Sequence, residues 1–175
     1  KDALVNYIFS SHLYLNLYNK GLRDKKSSYY VDALEHTGSI YNITKDYVKA
    51  AIIYSRAVDF WLYEHKMKRN DMQILNLRIN LADLYEKMGL FDMSRDMRQE
   101  IINKKCPDNL IHIQKKKLQS IVRECYPGNP DLKIARKKFL EKLTGISSQP
   151  NGVLTAVTDR YVNKLIETFK KNLGY

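Results

Sequence analysis

Cysteine, proline and glycine are all scarce in this chain: two, four and seven among 175 residues. Two cysteines, Cys106 and Cys125, are too few for a disulfide framework. Neither belongs to a Cys-x-x-Cys pair, which argues against a metal or redox motif, and reduced thiols in an intracellular, cytoplasmic protein are the expectation. So few prolines and glycines leave room for only a handful of breaks, so the elements between them are long. No stretch approaches the ~18 consecutive apolar residues that span a bilayer. The chain starts at Lys1 without an initiator Met or a secretory leader and reads as a fragment of something longer. The sequon Asn42-Ile43-Thr44 falls at the end of an expected helix and reads as incidental.

Catalytic patterns are missing too. His12, His36, His65 and His112 are scattered, with no His-Glu-x-x-His and no two-ligand helical spacing. No Gly-rich phosphate loop exists. Ser10-Ser11-His12 has no third group to aim a base at a nucleophile. The expectation is a protein that is not an enzyme, with no catalytic residue, no metal and no cofactor.

Positive charge is abundant and uneven. The net charge is +11, yet residues 1–100 carry 15 Lys/Arg against 13 Asp/Glu, while residues 101–175 carry 15 against 6. Lys104-Lys105, Lys115-Lys116-Lys117 and Arg136-Lys137-Lys138 are the candidate basic surface, with Lys170-Lys171 behind them. Such a surface suits an acidic protein partner, an anionic membrane or the phosphates of RNA or DNA. Of the thirteen tyrosines, Tyr41, Tyr47, Tyr54 and Tyr85 fall on apolar stripes and belong to the core, whereas Tyr29, Tyr30 and Tyr63 are expected to be freer.

Periodicity is helical throughout, and no segment alternates like a strand. Helices are expected over 2–19, 28–44, 46–66, 71–88, 91–104, 109–125, 129–143 and 153–172. Asp24 to Ser28 reads as a polar break, Asp71 and Asp108 as N-caps, and Gly145 to Gly152 as the longest loop. The class is all-α.

Across these helices a pattern recurs. It runs Leu34, Gly38, Tyr41, Tyr47, Ala50, Tyr54, Ala57, then Leu81, Ala82, Tyr85, Gly89, Phe91, Ser94, Ile101, with a fainter echo at Val122, Tyr126, Leu132, Ala135, Phe139, Lys142. The units start 44 and then 41 residues apart, longer than the ~34 of the standard repeat. The pattern resembles the tetratricopeptide repeat, in the long-helix form of kinesin light chains and vesicle-fusion adaptors, over about residues 31–143. Arg98 departs from it, standing where a bulky aromatic is usual, and so does Arg123 at a small-residue position.

The resemblance implies a right-handed α-α superhelix of about eight helices. It divides into an N-terminal helix (1–27), two to three helix-pair repeats (28–144) and a C-terminal capping helix (145–175). It implies a protein–protein interaction scaffold or adaptor in a larger assembly, whose concave groove takes a peptide or helix of a partner. By register the groove is lined by Asp32, Glu35, Ser39 and Asn42 in the first unit and Asn76, Ile79, Asp83 and Glu86 in the second. That surface is polar and somewhat acidic and suits a Lys/Arg-bearing peptide or a helix with a basic stripe. Glu35 and Ser39 stand where repeats that clamp a chaperone's C-terminal carboxylate carry Lys and Asn, so that ligand is not expected. The competing reading is a basic helical module that binds RNA or DNA.

Overall fold

A computed structural model describes residues 5–7, 9, 10, 13, 23–64, 66, 68, 71–103, 106–124, 134, 136–141 and 156–174. Among them there is helix and no strand. Six helices have defined bounds: α1 Arg23–Ile43, α2 Tyr47–Asp59, α3 Met72–Lys87, α4 Phe91–Ile102, α5 Asp108–Glu124 and α6 Ala156–Leu173. Described residues within 5–13 and 134–141 are helical as well.

Helix α1 begins earlier than the sequence suggests. Asp24 to Ser28 is helix, not a break: these polar residues carry no Gly or Pro to interrupt the hydrogen-bond ladder. Tyr30 lies one turn before Leu34 on this helix and is only 2% exposed, contrary to the freer role expected of it. Its ring meets Phe60 edge-on at 4.7 Å, and burial raises its phenol pKa despite the opposing pull of Arg56. Tyr29 and Tyr63 are exposed as anticipated. Tyr54 and Tyr85 are buried, while Tyr41 and Tyr47 are only half-buried at the core's edge.

Two hairpins turn in the same way. After α1, the Lys45 N–H donates to the Asn42 carbonyl and the Asp46 N–H to the Tyr41 carbonyl, with Lys45 at φ 61°. After α3, the Gly89 N–H donates to the Glu86 carbonyl and the Leu90 N–H to the Tyr85 carbonyl, with Gly89 at φ 72°. Both are Schellman turns, in which one left-handed residue lets the chain satisfy the helix's last carbonyls. Thr44 adds its hydroxyl to the Ile40 and Tyr41 carbonyls, and Asp46 then caps α2 through the Lys49 N–H.

Helix α2 does not run on unchanged to residue 66. It passes into a π-helical turn at Phe60–Glu64. Phe60 and Trp61 are adjacent and both buried, and a widened turn brings neighbours in sequence onto one face where a regular α-turn would separate them. Asp71 sits at the start of α3 but does not cap its amides; its carboxylate turns back to accept from the Lys68 N–H at 2.8 Å.

The helices stack in sequence: α1 on α2, α2 on α3, α3 on α4, α4 on α5. Side-chain bonds also join alternate helices directly. Lys87 of α3 donates to Asn42 of α1 at 2.8 Å, and Lys117 of α5 donates to Asp83 of α3 at 3.5 Å. The core lies between these rows, built of Val31, Leu34, Ala50, Ala57, Ile74, Leu77, Leu81, Leu84 and Met88. Helix α3, sandwiched between neighbours, buries eight of its sixteen residues.

The C-terminal part returns to the first hairpin. Helix α6 packs on α2 through Val162, Leu165 and Ile166, which join the core cluster. Phe139 reaches Tyr47 at the start of α2, ring centroids 6.4 Å apart, and Arg136 donates twice to the Gly89 carbonyl, at 2.8 and 3.0 Å.

Candidate binding face

The eight residues assigned to the groove lie on α1 and α3, the helices joined by the Lys87–Asn42 bond. They divide into two sets. In the second unit Asp83 and Glu86 are occupied from within. Arg98 of α4, 0% exposed, ion-pairs with both carboxylates; its Nε donates to Glu86 Oε1 at 2.8 Å and its Nη1 to Gln114 Oε1 of α5. Ser94 also donates to Glu86, and Lys117 pairs with Asp83. A guanidinium with five donors in a fixed fork can join three helices in this way, and it must, because a buried cation without partners is costly. Arg98 and Gln114 are the residues that the sequence reading did not assign. The available signal was Arg98 itself, a charge at a position where the repeat carries an aromatic.

The first unit is different. Asp32 is exposed and Glu35 half-buried, and neither makes a hydrogen bond or ion pair with protein among the described residues. Burial raises the Glu35 carboxyl above its ordinary pKa, the nearby Asp32 charge raises it further, and His36 opposes both. The His36 ring stacks on Tyr7 at 4.7 Å, which brings the N-terminal residues beside this face. Ser39 and the Tyr54 hydroxyl share a hydrogen bond of 2.9 Å. Burial likewise raises the Tyr54 pKa; the Ser39 bond opposes the rise and the Glu35 charge adds to it. Asn42 is bound by Lys87. Asn76 is exposed and Ile79 half-buried.

The basic residues are similarly divided. Lys115 and Lys116 are exposed on α5, Lys117 is held by Asp83, and Lys137 and Lys138 are exposed. Arg136 clasps the Gly89 carbonyl and so docks its own segment. Lys104 and Lys105 lie outside the described residues, as do His12, His65, Cys125, Tyr126, Leu132, Ala135 and the 145–152 loop. The Cys106 thiol donates to the Ile101 carbonyl at the end of α4.

Among the described residues no group of His, Cys, Asp or Glu is placed to hold a metal ion, and no helix is long and apolar enough to cross a membrane. Comparison with protein-family models, with curated proteins and with solved structures finds no match to this chain.

Proposed function

We propose that this chain is a tetratricopeptide-like α-α superhelix serving as an intracellular, non-catalytic scaffold, and that α1 and α3 present the face that binds a basic peptide or helix of a protein partner. The observation that carries this reading is Glu35 beside Asp32: two neighbouring carboxylates, one partly desolvated, in no ion pair among the described residues and opposed only by the nearby His36. An incoming Lys or Arg gains from both charges and relieves the cost of burying Glu35. The Schellman turns repeated at Lys45 and Gly89, 44 residues apart, support the repeat register. Asp83 and Glu86 act in this reading as structural acids, so the binding charge is concentrated in the first unit.

The test uses fluorescent peptides of matched length, Lys/Arg-rich and Glu/Asp-rich, with affinity read by anisotropy. The parent chain selects the basic peptide, and Asp32→Lys with Glu35→Lys loses that preference while its helical circular dichroism is unchanged. Indifference to peptide charge, or a preference that survives the double variant, removes this face from the function. A second reading, binding of RNA or DNA phosphates, has the exposed Lys115 and Lys116 in its favour. It requires that Lys115→Ala with Lys116→Ala weaken binding and flatten its salt dependence.

A further inference from the structure

The end of the molecule that holds both Schellman turns gathers cations that are far apart in sequence. Lys45 occupies the first turn and Lys49 the first helical turn after it; Lys87 precedes the second; Arg136 docks on Gly89, followed by Lys137 and Lys138. Three of these six were not part of any basic run in the sequence. Their neighbours tie them together. The Lys49 ammonium lies over the Tyr41 ring at 5.4 Å, the Lys87 ammonium over the Tyr47 ring at 5.4 Å, and Tyr47 meets Phe139. Acids at this end are occupied: Asp46 pairs with Lys49, Glu86 with Arg98 and Asp92 with Arg95.

Two large apolar side chains stand among these cations. Ile43, the last residue of α1, is 79% exposed, and Ile134, one helical turn before Lys138, is 56% exposed. We propose that this end of the molecule docks on an anionic lipid bilayer, with the lysines at the headgroup phosphates and carboxylates and the two isoleucines entering the interface. Charge complementarity supplies the attraction, as for any polybasic surface near acidic lipids. The isoleucines favour a bilayer over nucleic acid, because phosphate contacts have no use for exposed aliphatic groups while shallow insertion does. The tyrosines point the same way. Base stacking needs a free ring face, and Tyr41 and Tyr47 each have an ammonium over theirs.

This surface meets the stripe on α1 and α3 at the Lys87–Asn42 bond, but the positions varied below exclude Asp32 and Glu35, so each proposal can fail without the other. The experiment is co-sedimentation of the chain with phosphatidylcholine vesicles, with and without phosphatidylserine, and competition by a short RNA and a DNA duplex. Binding is expected only to the anionic vesicles and is lost at high salt. Lys137→Glu with Lys138→Glu weakens it at least about tenfold, and Ile43→Ser with Ile134→Ser weakens it several-fold. All four positions are exposed, so circular dichroism and basic-peptide binding are unchanged in both variants. Lys115→Glu with Lys116→Glu, on the middle of α5, leaves vesicle binding intact. Equal binding to neutral vesicles overturns the proposal, as does indifference to either double variant at this end. Binding of RNA or DNA that depends on the same lysines, without vesicle binding, reassigns the surface to nucleic acid.

Discussion

Gly38 of α1 lies directly against the ring of Tyr54 of α2: a Cβ built on Gly38 would stand 2.9 Å from Tyr54 Cε1 and 3.0 Å from Cζ. The ring cannot move aside easily, because Tyr54 is buried and its hydroxyl is bonded to Ser39. An alanine in a helix interior ordinarily gains about 1 kcal/mol over glycine. Here that gain is cancelled: Gly38→Ala should be neutral or destabilising, and Gly38→Leu should cost about 1–3 kcal/mol through overpacking. Urea denaturation gives the values, and a cycle with Tyr54→Leu locates the cause. If Gly38→Ala still stabilises in full, the two helices are not in this close contact.

Arg98 offers a second test of packing, through charge. Replacing it by Met leaves Asp83 and Glu86 facing each other and removes the donor from Gln114, which is 1% exposed. The acids are partly solvated and can rehydrate, so the cost falls at the lower end of that for breaking a buried pair, about 3 kcal/mol. Arg98→Lys should recover less than half of it, because an ammonium cannot reach three acceptors on two neighbouring helices in the guanidinium's geometry. Asp83→Asn should cost no more than about 1 kcal/mol. A small loss in Arg98→Met would mean that α5 is held to α3 and α4 by other contacts.

These two sites show how far the sequence could be read. Gly38 and Tyr54 were legible as members of one recurring pattern, in which several positions agree together. The helical class followed equally well from spacing and from scarce Gly and Pro. Arg98 could only be seen as a misfit: its partners come from α3 and α5, and no local rule brings Asp83, Glu86 and Gln114 to one point. The same holds for the groove assignment, which counted Asp83 and Glu86 as free because a register gives the side of a helix and not the occupant opposite it. Tyr30 was misplaced because the ring that covers it, Phe60, comes from another element. The start of α1 was misread for a local reason: a polar run looks like a break, but Asp24 to Ser28 contains nothing that forbids helix. Lys45, Lys49 and Lys87 escaped notice because their proximity is made by the turns.

The Glu35 carboxyl gives a pH dependence whose sign can be worked out. Burial, and then Asp32, raise its pKa in the folded chain above the ordinary value of 4.5. The folded state then holds the proton more tightly than the unfolded chain, so stability falls as pH rises through the interval between the two values. Below both values Glu35 contributes nothing; above both, its charge is a standing cost. Glu35→Gln should therefore stabilise the protein at neutral pH by some tenths of a kcal/mol, of the order set by a partly exposed group, and lose that advantage under acid. A bound cation reverses the shift and releases the proton, so affinity for the basic peptide should rise with pH through the same interval. Peptide titrations at several pH values check this; a dependence that persists in Glu35→Gln belongs to another group.

The equivalent turns make a paired prediction about backbone conformation. Lys45 and Gly89 occupy the same left-handed position 44 residues apart, but only glycine adopts it without a steric penalty from Cβ. Lys45→Gly should relieve that strain and stabilise the chain by about 0.5–1 kcal/mol, although it removes a charge and adds unfolded-state entropy. Gly89→Ala should do the opposite, costing about 1 kcal/mol or more. Its carbonyl also holds the two Arg136 donors, so any shift of the turn would loosen the docked segment and make its amides exchange faster. Thermal denaturation of the two variants, with hydrogen exchange over 134–141, separates these effects. If Lys45→Gly destabilises as much as Gly89→Ala, the two turns do not share the geometry described, and the structural argument for a repeated unit fails with it.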